Sequence, residues 1–155
     1  MRAIPTVFLL TLLAGLAIAD EKAGDAVKAK DQAQLQGLWQ AVAMEANGAK
    51  APDDEIQRFQ LLFKEGKLTF NPKADNREHA FEIDAAAKPK ALDVIPGDGV
   101  KKGTKLPCAI YELTGDKLVF CINKEMTGDK RPTQFKTAPG DGMVLITLER
   151  VKPVK

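Results

Sequence analysis

From Leu35 onward the chain is a run of short apolar–polar alternations cut by turn residues, and that period of two constrains the fold more than any other feature. Residues 58–64 place Phe59, Leu61 and Phe63 on one face, and after Glu65-Gly66 residues 67–71 return with Leu68 and Phe70. Opposing Lys64 with Lys67 sets Phe63 against Leu68 and Leu61 against Phe70, so both strands bury the same face. Residues 78–84 alternate again, with His79, Phe81 and Ile83 on one side and Glu78, Glu82 and Asp84 on the other. Residues 38–45 and 91–95 add strands, stopped by Asn47-Gly48 and by Pro96-Gly97-Asp98-Gly99. Asp53, Asp54 and Glu55 behind Pro52 mark a short helical turn over 51–56. A hairpin over 107–122 is expected to turn at Thr114-Gly115, which opposes Leu113 to Asp116, Glu112 to Lys117 and Tyr111 to Leu118. Residues 125–130 repeat its turn chemistry, 133–137 read as a short strand, and 143–151 close the chain with Val144, Ile146 and Leu148 alternating. Eight or nine strands joined by tight turns leave no room for crossover helices. They predict an all-β, antiparallel up-and-down barrel of about eight strands with one short helical turn; a sandwich is the competing architecture.

Ahead of the sheet, residues 1–19 carry Arg2, an apolar stretch from Val7 to Leu16 and the small-x-small triplet Ala17-Ile18-Ala19. That order predicts a secretory signal peptide cut before Asp20. The apolar run is too short to span ~30 Å of hydrocarbon, and no Cys follows the cut to accept a lipid. Residues 20–33 are rich in Ala and Lys without core-forming periodicity and are expected to be a polar tether. Residues 34–152 then form one barrel domain. No later run could cross a membrane, so the expected product is soluble and exported, to the periplasm or the outside. A chain 45% hydrophobic and 28% charged is neither disordered nor collagen-like. Lys+Arg 23 against Asp+Glu 21 is too balanced for a nucleic-acid-binding face.

Leu35-Gln36-Gly37-Leu38-Trp39 precedes the first strand, and Ile146-Thr147-Leu148-Glu149-Arg150 ends the last. Gly-x-Trp at one end and a closing Arg at the other resemble the marks of the lipocalin (calycin) barrels. Further motifs narrow the likeness: Pro52-Asp53-Asp54-Glu55-Ile56, Lys90-Ala91-Leu92-Asp93, Ile110-Tyr111-Glu112-Leu113 and Arg131-Pro132-Thr133 with Phe135. Together they are similar to the secreted lipocalin-like domain that recurs in many Planctomycetes proteins, over roughly residues 34–152. The resemblance implies a barrel whose Trp packs across the closed end beneath the final strand's basic side chain. It implies no settled activity.

Trp39 and Arg150 can be read without the family, because a guanidinium stacks well on an indole face, worth ~0.5–2 kcal/mol. Gly37, Trp39 and Arg150 are therefore read as fold-defining, not catalytic. In the hairpin register above, Cys108 and Cys121 oppose each other within disulfide reach, and export supplies an oxidising compartment. Two buried thiols are the alternative. His79 shares parity with Phe81 and should point inward near a rim, either orienting a ligand or bonding to solvent and backbone. Carboxylates are spread over outward positions and turns, with no pair forced into one apolar site to work as acid and base. Gly97-Asp98-Gly99 and Gly140-Asp141-Gly142 lack the ligand spacing of a calcium loop. No metal, cofactor or catalytic set is expected.

Inward parity makes Phe63, Phe70, His79, Phe81, Tyr111 and Phe120 candidate ligand-binding residues, with Ala41, Ala43 and Ala109 leaving space among them. The expected function is binding of a small hydrophobic molecule without catalysis. The alternative is an extracytoplasmic interaction or envelope-associated module whose barrel is filled by its own side chains. N-terminal sequencing of protein exported by its own host should begin at Asp20; a retained Met1 would refute the signal peptide.

Overall fold

The protein is described here by a computed structural model covering residues 15–126, 128 and 130–152. Residues 1–14 of the expected signal peptide lie outside the described residues, as do Thr127 and Asp129 of the 125–130 turn. Helix α1 (Gly15–Leu35) leads into β1 (Gly37–Ala46), β2 (Ala49–Lys50), α2 (Asp53–Arg58), β3 (Gln60–Lys64) and β4 (Lys67–Phe70). There follow β5 (His79–Asp84), β6 (Lys90–Ile95), β7 (Leu106–Thr114), β8 (Lys117–Asn123) and β9 (Met143–Arg150). Each strand from β3 to β9 pairs antiparallel with the next, β1 pairs with β3, and β9 returns to β1. The result is a closed, lipocalin-like, eight-stranded barrel, with β2 a two-residue extension folded back on β1 by Asn47-Gly48.

The β3–β4 register is the one the alternation demands: Lys64 opposes Lys67, Phe63 opposes Leu68, and Leu61 opposes Phe70. The β7–β8 hairpin is displaced by two from the expected register, with Thr114 opposite Lys117 and Tyr111 opposite Phe120. Its turn is Gly115-Asp116 instead of Thr114-Gly115. A two-residue hairpin turn of the II′ kind needs positive φ at its first central position, and Gly115 supplies it at 59°. A shift of two conserves parity, so every side chain keeps its expected face while its partner changes.

Bulges do change faces. Between Ala41 opposite Leu148 and Ala43 opposite Thr147, the strand β1 carries Val42 as an extra residue. Past it the alternation inverts: Ala41 is buried, Ala43 is exposed, and Met44 packs against the core. Ala43 therefore leaves no space inside the barrel, contrary to expectation. A second bulge makes Cys108 the extra residue of β7, between Ala109 opposite Leu92 and Pro107 opposite Asp93.

Two further expectations are corrected. Residues 20–33 are the body of α1 instead of a tether, because Ala, Lys and Gln with no Pro favour helix even without an apolar stripe. Among the described residues there are thus two helices, not one short turn. Residues 133–137 form no strand. Residues 130–137 cross the outer face as irregular chain, held by Arg131, whose guanidinium donates to the Leu92 and Ala109 carbonyls at the bulge and pairs with Asp93. Under it, Ile110, Cys121 and Asn123 are fully buried although parity points them outward.

The closed end is built around Trp39, which is fully buried. Its Nε1 donates to the Leu35 carbonyl at 2.8 Å, and the Arg150 guanidinium lies 4.2 Å above its ring. Arg150 also donates to the Gln34 and Gln36 carbonyls and to Asp116. Gly37 has φ of 116°, and a Cβ there would come within 3.1 Å of Arg150 Nη1, so this close approach requires glycine. Trp39→Ala should lower the unfolding free energy by about 3–5 kcal/mol, and Arg150→Ala by less, in urea titrations followed by circular dichroism.

Candidate functional site

The cavities formed by the described residues do not bring together the six side chains assigned to ligand binding by parity. Phe63 is fully buried and packs edge-on against Phe81, ring centroids 5.2 Å apart. Phe120 is fully buried in the same core. Tyr111 is engaged elsewhere: its hydroxyl donates to the Asp31 carboxylate of α1 at 2.8 Å. Lys90 pairs with the same Asp31 oxygen at 2.7 Å and lies 5.9 Å from the Tyr111 ring. Asp31 is 3% exposed, so a buried carboxylate, a cation and a phenol together tie α1 to the barrel. Burial first, and then the hydrogen bond to Asp31 and its charge, push the Tyr111 hydroxyl above its ordinary pKa. These contacts are structural and occupy the closed end of the interior.

Phe81 reaches a crevice of about 240 Å³ between α1 and the β3–β4 turn, lined also by Gln32, Ala33, Gln36 and Gly66. This crevice is separate from the barrel mouth. His79 is 9% exposed at the start of β5, opposite Leu68, with its ring 6.0 Å from that of Phe70. Its Nδ1 has no hydrogen-bond partner.

Of the six, Phe70 alone lines the apolar depression at the open end. That cup holds about 170 Å³ between Phe59, Phe70, Ile122, Met126, Val144 and Ile146, with Lys124 as the one charged residue among the described residues that line it. Strand parity positions five of these walls: Phe59 enters β3, Phe70 ends β4, Ile122 nears the end of β8, and Val144 and Ile146 begin β9. Met126 follows β8 in left-handed backbone, its φ at 44° and its N–H bonded to the Asn123 carbonyl. Phe59 also borders a second depression of about 340 Å³ with Met44, Glu55, Arg58, Asn71 and Ala74. There Arg58 already pairs with Asp54, and Asn71 accepts from the Gln60 N–H.

The alternation of Val144 and Ile146 and the place of Phe59 were legible in the sequence. Lys124 and Met126 were not, because they sit in a turn whose direction depends on the crossing stretch 130–137. No group of three or more His, Cys, Asp or Glu among the described residues is placed to hold a metal ion. No helix among them is long and apolar enough to cross a membrane.

The expected disulfide is absent. Cys108 and Cys121 are free and fully buried. In the register set by Gly115-Asp116, Cys121 opposes Ile110, not Cys108. The bulge brings Cys108 into the interior core, whereas Cys121 lies under the crossing stretch, with Sγ 4.0 Å from the Lys136 carbonyl. Burial pushes each thiol up to about 11. Comparisons with protein-family models, with curated proteins and with solved structures return no match to this chain.

Because the thiolate is the reactive form, native protein at pH 8 should resist iodoacetamide, with labelling rising only as the pH approaches 11. The same shifts set the sign of a stability effect. The unfolded thiols ionise from about pH 8.5, so their contribution is full below that and is lost as pH rises toward 11. Denaturation without reductant should release two alkylatable thiols; a mass two hydrogens lower and no label would restore the disulfide.

Proposed function

We propose that the protein is an exported, non-catalytic member of the lipocalin-like family its motifs resemble. In this reading it holds the end of a small apolar molecule in the cup at the mouth of its barrel. The observation that carries the reading is the cup itself: six apolar walls converging from β3, β4, β8, β9 and the turn after β8. Its volume of about 170 Å³ is below the ~300–1,000 Å³ of pockets that enclose a whole ligand. The cup suits one end of a molecule, with the remainder outside. Burying apolar surface there contributes roughly 25 cal/mol per Å², which favours aliphatic or aromatic ends over polar ones. Binding at the mouth also fits the packed interior, where Trp39, Phe63, Tyr111 and Phe120 leave the deep barrel to the protein's own side chains.

That packed interior supports a second reading, an interaction module whose barrel serves only as a scaffold. One titration separates the two. The uncharged fluorophore N-phenyl-1-naphthylamine should bind wild type, and Val144→Trp, which fills the cup, should weaken binding at least tenfold with the far-ultraviolet circular dichroism unchanged. Absence of binding, or equal affinity in both proteins, would sink the cup and favour the module.

A further inference from the structure

The depression on the far side of Phe59, at about 340 Å³, is larger than the cup and reaches the ~300–1,000 Å³ of small-molecule sites. Met44 and Phe59, half-buried against the core, give it an apolar lining, and Met44 stands there because the bulge at Val42 inverts the parity of β1. Glu55 and Arg58 are exposed and one turn apart on α2, so a carboxylate and a guanidinium share one side of it. The backbone around these groups is fixed by a buried amide pair. Gln60, 7% exposed, donates to Gln40 Oε1 at 2.8 Å, and Gln40 Nε2 lies 3.1 Å from the carbonyls of Gln57 and Phe59 at the end of α2. Asn71 is clamped to Gln60: its N–H donates to the Gln60 carbonyl at 2.8 Å, and its Oδ1 accepts from the Gln60 N–H at 2.9 Å. That clamp leaves Asn71 Nδ2 and the Glu55 carboxylate without a partner among the described residues. Arg58 spends Nε and Nη2 on Asp54 and keeps Nη1.

We propose that this depression is a second binding site, for a free α-amino acid with an apolar side chain. The ligand ammonium pairs with Glu55, its carboxylate takes hydrogen bonds from Arg58 Nη1 and Asn71 Nδ2, and its side chain covers Phe59 and Met44. One small molecule then answers an anion, a cation, an amide donor and an apolar surface at once. Hydrogen bonds between charged partners are roughly twice as strong as neutral ones, so a zwitterion gains at both ends. A neutral polyol has no charge to set against either Glu55 or Arg58. Both ligand charges stay beside exposed groups, which avoids the cost of burying an ion. The site does not depend on the reading of the cup: among the lining residues, the two share Phe59.

The test is calorimetric titration of the full chain with L-leucine, N-acetyl-L-leucine, L-leucinamide and glucose, at neutral pH and low ionic strength. Leucine should bind at least tenfold more tightly than either blocked form, and glucose should not bind. Glu55→Gln should bring leucine and N-acetyl-leucine to equal affinity while leucinamide stays weak. Arg58→Gln should do the same for leucine and leucinamide while N-acetyl-leucine stays weak. Each variant thus loses one discrimination and keeps the other, a pattern that misfolding cannot produce. Val144→Trp, which fills the cup, should leave leucine affinity unchanged. No binding of leucine by wild type, or equal affinity for all three leucine forms, would overturn the proposal. Glucose binding more tightly than leucine would assign the depression to a neutral polyol and overturn the zwitterion. Unchanged leucine binding in both α2 variants, or its loss in Val144→Trp, would place leucine elsewhere and overturn this site while leaving the cup reading to its own titration.

Discussion

Pairing of the first strand with the last is the contact on which the rest of the molecule depends. A meander of consecutive hairpins has two open edges, and both would offer unpaired N–H and C=O groups to solvent and to other chains. Here β1 and β9 pair from Trp39 opposite Arg150 to Ala46 opposite Val144, and closure removes both edges. The closure is pinned where the strands are furthest apart in sequence. Arg150 covers Trp39, donates to the carbonyls of Gln34 and Gln36, and pairs with Asp116 of the β7–β8 turn. One guanidinium thus joins the end of α1, the start of β1 and the end of β9. The inner face becomes a core only because this ring is shut.

Closure leaves two ends of different character. The closed end is polar in its connections: Asp31, Lys90 and Tyr111 bind α1 to the barrel through charge and hydrogen bonds inside low-dielectric surroundings. Such a network is costly to leave half made, so it fixes one placement of the helix. At the open end the described residues show a lighter tie, the Lys101 ammonium donating to the Met126 carbonyl of the turn after β8. The aliphatic and aromatic side chains there stop short of one another, and the cup is the space they leave. The functional proposals belong to that end because its apolar surface is unspent in folding.

Backbone irregularity, more than side-chain choice, separates the expected interior from the observed one. At Val42 and Cys108 an added residue turns the alternation over, sending Ala43 outward and bringing Cys108 into the core. The bulge at Cys108 also leaves the carbonyls of Leu92 and Ala109 for Arg131 to bind. That bond draws residues 130–137 across the outer face, and Cys121 is buried beneath them. The break at Cys108 and the register set by Gly115-Asp116 together decide the fate of both thiols.

The period of two by itself determined the antiparallel meander, the β3–β4 register and the inward parity of Phe63, Phe70, His79, Phe81, Tyr111 and Phe120; its closure into a barrel was decided by β1 meeting β9. Parity is a local property of extended backbone, and it survives even a two-residue slip such as that at Gly115. Which of those inward side chains would remain available was not local. Phe63 and Phe81 found each other, and Tyr111 found Asp31 from a helix that shows no apolar stripe. Only the closed structure could place Lys124 and Met126 beside Val144 and Ile146, because they come together after β8, β9 and the crossing stretch have packed. Alternation states which way a residue points, whereas the space in front of it depends on chain segments distant in sequence.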